Sequence, residues 1–288
     1  MTGSSFAEEL VFFPCAGISL AGILATPVHP NGLTVVIPWG GGSFPSSARN
    51  RVRARLARTL AERGFHAFRF DNIGVGESEG QYRKPNLARP NTEEILAASA
   101  FLRSQGLERQ VVIANCFGGW STLMAAAEID GLEGVVVMNS PVRRDHQQVH
   151  AGDGDLRWWM SKLRKLKWSA LMQADRRTRY RKLLAAKATS LVGSPRASAT
   201  KFSDAVGYLI DVHIPLLLIY GTDDFRSDLE MELERGLRVR LEEAGPSTRL
   251  VIVLERLEGF ASLNAQNLLI ETVVPWLDQL PLTARRRD

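Results

Sequence analysis

The chain has 288 residues, of which 45% are hydrophobic and 23% charged, and its formal net charge is +5. This composition is typical of a globular protein with a full core, built as one large α/β domain or two smaller ones. No run of about 18 apolar residues occurs, which excludes a membrane span, and the first residues lack the pattern of a secretory signal. Two cysteines, Cys15 and Cys116, are too few for a disulfide framework, so we expect a cytoplasmic protein.

Short apolar runs alternate with helical patterns along the first half of the chain. Apolar runs predict strands over 11–13, 20–24, 33–38 and 66–71. Apolar residues spaced by four predict a helix over 51–63 that ends at Gly64, and a second helix over 93–103 follows the capping residues Asn91 and Thr92.

The second half of the chain continues the alternation. Strands are predicted over 110–115, 134–139, 214–220 and 248–254, with a helix over 118–128 and helical patterns after the last two strands. Continuous apolar strands alternating with helices predict an α/β fold with a mostly parallel, doubly wound sheet.

One basic segment interrupts the alternation between strands 134–139 and 214–220. Residues 142–201 carry 15 Lys and Arg against 4 Asp, whereas the rest of the chain has 21 basic and 27 acidic residues. We predict a helical cap over 142–210, a core formed by 8–141 and 211–280, and a basic tail over 281–288. A basic amphipathic helix around Trp159 and Leu163 on a membrane surface is the alternative, but flanking core strands favour a lid.

Four motifs follow predicted strands, at 38–43, 69–80, 114–119 and 215–224. Together, in this order, they resemble the α/β-hydrolase superfamily, and the resemblance spans roughly residues 8–277 apart from the cap. It implies an α/β-hydrolase fold with the cap inserted after strand 6. Glycines at 40–42 resemble the oxyanion loop, where the N–H of Gly41 would stabilise a developing oxyanion, with Gly40 and Trp39 beside it.

The motif at 114–119 resembles the nucleophile elbow, with Cys116 in place of a serine. The Phe117 N–H would be the second oxyanion donor, and a helix N-terminus favours a thiolate. Dienelactone hydrolases have cysteine at this position, as does a group of hydrolases associated with exosortase gene clusters, whose opening strands resemble 11–24. Cys15 precedes the predicted sheet, and we interpret it as structural.

The remaining two motifs complete the resemblance. Glycines in 69–80 match the loop after the fourth strand of the superfamily; a dinucleotide site is not indicated because no helix opens directly after them. We expect neither a cofactor nor a metal. The strand over 214–220 resembles the one that delivers the acid of the triad, and the spacing from Gly221 points to Asp224, with Asp223 beside it.

The catalytic histidine of the superfamily has no counterpart at the expected place. Phe260 follows Gly259 where the histidine belongs, and no histidine follows His213. Three histidines are poor substitutes: we expect His29 in an early turn, and His66 and His213 at the start of strands, at the far end of the sheet from Cys116. His146 and His150 follow the strand that ends at Asn139, so either could replace the missing base.

Three functions are consistent with these residues. The leading hypothesis is a thioesterase or acyltransferase of secondary metabolism that forms an acyl-enzyme at Cys116. A cysteine thiol can ionise without a neighbouring base, whereas a serine hydroxyl cannot, so loss of the histidine harms a cysteine nucleophile less. Its small-molecule acyl substrate would be carried on an acyl carrier protein or coenzyme A, an anionic partner for the basic cap. The alternatives are a lyase or cyclase, such as one eliminating acetate in tetronate-type polyketide biosynthesis, and an inactive binding protein. We expect no nucleic-acid partner, since no binding motif is present, and we leave an oligomer open.

Overall fold

A computed structural model describes residues 5–38, 40, 44–142, 196–222, 225–260 and 262–280, with the backbone alone for 196–201 and 258. The chain divides into two compact units, 1–142 with 202–288, and 143–201. The larger unit contains the sheet. Its second part begins at 202 because Phe202, Val206 and Leu209 are fully buried in its core, nine residues before the boundary expected at 211. The predicted cap over 142–210 lies largely outside the described residues, so its role as a lid stays a prediction.

Eight strands form one sheet in the described part of the chain. They are β1 (Phe6–Cys15), β2 (Ile18–Pro27), β3 (Thr34–Ile37), β4 (His66–Phe70), β5 (Gln110–Asn115), β6 (Leu132–Met138), β7 (Leu216–Tyr220) and β8 (Arg249–Ile252). Their order is β1-β2-β4-β3-β5-β6-β7-β8. The first two strands are antiparallel and β2 runs antiparallel to β4, while all pairs from β4 to β8 are parallel. The predicted α/β-hydrolase architecture, with a mostly parallel sheet, is confirmed.

Helices connect the parallel strands. Those described are α1 (Val52–Glu62), α2 (Thr92–Ser104), α3 (Phe117–Ala125), α4 (Arg196–Asp211), α5 (Arg226–Glu232), α6 (Arg238–Glu243) and α7 (Leu263–Leu277). The last helix begins with a capped turn, since the Ser262 hydroxyl accepts a hydrogen bond from the Ala265 N–H at 3.0 Å. None of these helices is long and apolar enough to cross a membrane.

The strands bury both faces of the sheet because successive side chains point in opposite directions. On β5, Val112 and Ala114 join the first core cluster, with residues of α2, α3 and α4. Val111 and Ile113 join the second core cluster, with residues of α1 and α7. Cys15 ends β1 and is buried in the first cluster; the expectation that it precedes the sheet is wrong, since β1 extends further than the apolar run at 11–13.

Candidate active site

The turn between β5 and α3 has the conformation of a nucleophile elbow. Cys116 has φ 51° and ψ −126°, a strained conformation for a residue with a side chain. Its N–H donates to the Met138 carbonyl at 2.9 Å, and its carbonyl accepts from the Trp120 N–H at 3.2 Å. Both bonds hold the thiol at the carboxyl end of β5, where the helix begins.

Gly40 lies directly against this elbow. A Cβ at this position would overlap the Asn115 carbonyl oxygen and the Phe117 nitrogen, and would come within 2.7 Å of the Gly118 nitrogen. The loop after β3 therefore passes beside the Phe117 N–H, as an oxyanion loop requires. The other residues assigned to this loop, Trp39, Gly41 and Gly42, lie outside the described residues.

The Cys116 thiol is partly buried and packs against the first core cluster. Burial raises its pKa, and a backbone hydrogen bond at Phe117 opposes that effect without reversing it. The expectation that the helix N-terminus yields a thiolate is therefore corrected, because desolvation of the anion outweighs the favourable backbone groups. A nucleophilic Cys116 would need a base to remove its proton.

Tyr220 brings a buried hydroxyl to the same edge of the sheet. It ends β7 and donates to the Ser140 carbonyl at 3.0 Å, with both residues fully buried. Burial raises its pKa well above the ordinary value, and proximity of Cys116 adds to the rise, so the phenol stays protonated. Sequence reasoning treated Tyr220 only as part of a strand. The proposed acids, Asp223 and Asp224, follow it closely but lie outside the described residues.

A buried charged network fixes the carboxyl ends of β3 and β4. The Arg53 guanidinium donates to the carbonyls of Ile37 and Phe70, the last residues of these strands. The Asp71 carboxylate accepts from the backbone N–H groups of Ser46 and Glu77. Burial lowers the pKa of Arg53 to about 9, although Asp71 acts to raise it, so Arg53 remains a cation at neutral pH.

Sequence reasoning missed this network. Arginine is rarely buried. Arg53 lies in the predicted helix over 51–63, and the spacing of apolar residues in that helix does not indicate that Arg53 is buried. Asp71 was visible only as part of a loop motif. A Cβ on Gly76 would overlap its carboxylate, so this one glycine of the motif over 69–80 reflects the packing of the acid.

The histidines of the described chain lie away from Cys116. His66 opens β4 and His213 shortly precedes β7, at the amino ends of strands that run parallel to β5, and His29 is exposed in the turn after β2. Their predicted placement is confirmed. His146 and His150, the candidate replacement bases, fall outside the described ranges.

Phe260 takes part in the core on the other face of the sheet. Its φ is 50° and its side chain is 1% exposed in the second core cluster, with residues of α1 and α7. Cys116 instead contacts the first cluster. That Phe260 occupies the place of a catalytic histidine stays a prediction.

Comparison with known proteins places this arrangement in a family. A family model described as "Serine aminopeptidase, S33", of the hydrolase type, matches residues 50–248, more than half of the chain. Protein PA2218 of Pseudomonas aeruginosa is 37% identical over 134 residues, which cover 45% of this chain and 35% of that relative. The chain thus matches about a third of the length of this relative.

Solved structures share the fold at low sequence identity. An esterase of Pyrococcus furiosus, Pf2001, has a TM-score of 0.59 and 16% identity, covering 96% of this chain and 94% of that chain. XC6422 of Xanthomonas campestris, described as an α/β serine hydrolase without a lid, has a TM-score of 0.55 and 17% identity, covering 99% of both chains. The elbow, the glycine loop against it and the extent of the family match agree: the chain belongs to the S33 serine aminopeptidase family of α/β hydrolases.

Proposed function

We propose that this protein is an acyl-processing enzyme, a thioesterase or acyltransferase, that uses Cys116 as its nucleophile on an ester or thioester. The observation that carries the proposal is the elbow itself. Cys116 has a strained, left-handed φ at the first turn of α3, with Gly40 packed against the Phe117 nitrogen. Folds rarely keep such a conformation on a residue with a side chain unless the turn serves a purpose.

The proposed first step is attack of the Cys116 sulfur on the substrate carbonyl. A base takes the thiol proton, the carbonyl oxygen gains the electron pair, and the Phe117 and Gly41 N–H groups stabilise it. The intermediate then collapses, the alcohol or thiol leaves with a proton, and the acyl group stays on sulfur. Water or a second acceptor removes the acyl group in the next step.

A base is essential to this scheme because burial raises the pKa of the thiol. We assign the role of this base to His146 or His150. Asp223 or Asp224 would orient that histidine, or would act as the base in its place. Weak activation of water would favour transfer to another nucleophile over hydrolysis. The acyl group would arrive on coenzyme A or an acyl carrier protein, since the segment 142–201 carries a large positive charge. We therefore propose a cytoplasmic enzyme of secondary metabolism, where acyl groups carried on coenzyme A or an acyl carrier protein are available.

Intact mass spectrometry after incubation with short acyl thioesters tests the proposal. We expect one acyl group on the wild-type protein and none on Cys116→Ala. Cys15→Ala is the matched control, because Cys15 is the other cysteine of the chain and is buried, and it should acylate like the wild type. Full turnover of the thioester by Cys116→Ala would refute the nucleophile.

A binding protein without catalysis is the second candidate. One observation favours it, since burial raises the pKa of the thiol. It also agrees with the prediction that Phe260, which cannot accept a proton, stands where the superfamily has its histidine. The rate of alkylation of Cys116 separates the two candidates. A rate no faster than that of an unstructured peptide cysteine, together with no acylation, would favour the binding protein.

A further inference from the structure

A small cleft with both polar and apolar walls lies beside the elbow residue Phe117. It is formed by the loop that follows β4 and by the start of α2. Its polar side chains are those of Asn72, Tyr82, Arg83, Asn91 and Glu94, and its apolar side chains are those of Ile73, Pro85 and Phe117. Its free volume for the centre of a water-sized sphere is about 10 Å³, which corresponds to one small polar group.

Glu94 gives this cleft an unusual chemical character. The residue is 4% exposed, and its carboxylate is hydrogen-bonded by the Ile73 backbone and the Asn91 side chain. Its Oε2 atom is buried and has no hydrogen-bond partner among the described residues. A buried carboxylate oxygen without a donor is costly, because it has lost its water without gaining a replacement.

We propose that the cleft binds the ammonium group of a small primary amine, with Glu94 as its anionic acceptor. An ammonium group has three donors and about the size of a water molecule. Besides Glu94, the cleft offers the side-chain oxygens of Asn72 and Asn91 as acceptors and the Tyr82 ring as a surface for a cation. The cleft shares Phe117 with the elbow, but amine binding at Glu94 does not require the acyl chemistry proposed for Cys116.

Charges around Glu94 set the pH range of binding. Burial raises the pKa of Glu94 to about 7, against the hydrogen bonds from Ile73 and Asn91 and the charge of Arg83; Glu93 adds slightly to the rise. The Cys15 thiol also senses this carboxylate, and its own pKa is raised, chiefly by burial. Arg83 is exposed and lines the cleft, so its positive charge competes with an entering cation for Glu94. The ligand should bind above pH 7, where Glu94 is ionised and a primary amine is still protonated.

Methylammonium chloride is the probe, titrated into the full chain against potassium chloride at equal ionic strength. The indole signal of Trp120 in nitrogen-resolved NMR is the reporter. Trp120 is fully buried one turn after Phe117, and its indole N–H donates to the Leu87 carbonyl at 3.0 Å. We expect saturable binding of methylammonium, at least about tenfold weaker in Glu94→Gln, as expected for loss of a charged hydrogen bond.

Glu93→Gln is the matched control, since Glu93 is the exposed neighbour in the same helical turn, and it should bind within about twofold of the wild type. Wild-type affinity should also fall at least about tenfold between about pH 8.5 and about pH 5.5 as Glu94 is protonated. If Glu94→Gln does not fold, the pH dependence of wild-type affinity and the affinity of Asn72→Ala for methylammonium test the proposal instead. Equal binding by potassium, or by wild type and Glu94→Gln, would overturn the proposal, as would pH-independent affinity or no saturation.

Discussion

Gly40→Ala offers the sharpest test of the contact between the glycine loop and the elbow. The φ angle of Gly40 is not positive, so an alanine at this position adopts the same backbone conformation without a penalty. Space alone opposes it, because the new methyl group would overlap the Asn115 oxygen and the Phe117 nitrogen. Neither backbone atom can move without displacing Cys116.

Both stability and chemistry should respond to this substitution. Overpacking against backbone costs about 1–3 kcal/mol of unfolding free energy, and a displacement of about 1 Å at a reacting group can reduce the rate about a hundredfold. Urea unfolding measures the first effect. The rate of Cys116 acylation by a short thioester, or of its alkylation, measures the second.

Gly106→Ala is the matched control. Its Cβ would meet nothing within 4 Å, but its φ is +79°, so the variant should lose about 1–2 kcal/mol through backbone strain while Cys116 reacts normally. Gly40→Ala with wild-type stability and wild-type reactivity at Cys116 would refute the close approach of the two loops.

Three further substitutions test the buried polar groups. Arg53→Met should lower the unfolding free energy by about 1–3 kcal/mol for each of the two buried carbonyls, Ile37 and Phe70, that lose their donor, whereas the exposed Arg58→Met should cost less than about 1 kcal/mol; equal losses in urea would contradict the network. Tyr220→Phe should cost about 1–3 kcal/mol, since the Ser140 carbonyl loses its donor, and an unchanged midpoint would argue against that bond. Glu94 has a raised pKa in the folded state, so the folded protein keeps this proton at pH values at which the unfolded chain has lost it. Wild-type stability should therefore fall relative to Glu94→Gln as pH rises from about 4.5, where the unfolded carboxyl ionises, to about 7, and level off above, by at most about 3 kcal/mol in total; parallel pH profiles would contradict the shift.

The alternation of strands and helices could be predicted from the sequence because it depends on local periodicity. Val111 to Ala114 are apolar without a break, which is the signature of a strand covered on both faces, and the structure places that strand near the middle of the sheet. The elbow at Cys116 was equally visible, since a sharp turn between strand and helix needs small neighbours such as Ala114 and Gly118. These features are encoded within a few consecutive residues.

Tertiary structure alone decided the electrostatics of the site. The helix N-terminus predicts a thiolate at Cys116, but burial raises its pKa, and burial depends on residues far apart in the chain. Arg53 reaches the ends of two strands, and Glu94 faces a cleft formed with the loop after β4; neither placement has a local signal. Sequence by itself determined where a nucleophile would stand, through local periodicity and turn chemistry. The protonation state of that thiol, and the positions of the buried charges Arg53 and Glu94, follow from long-range packing, because desolvation is a property of the assembled fold.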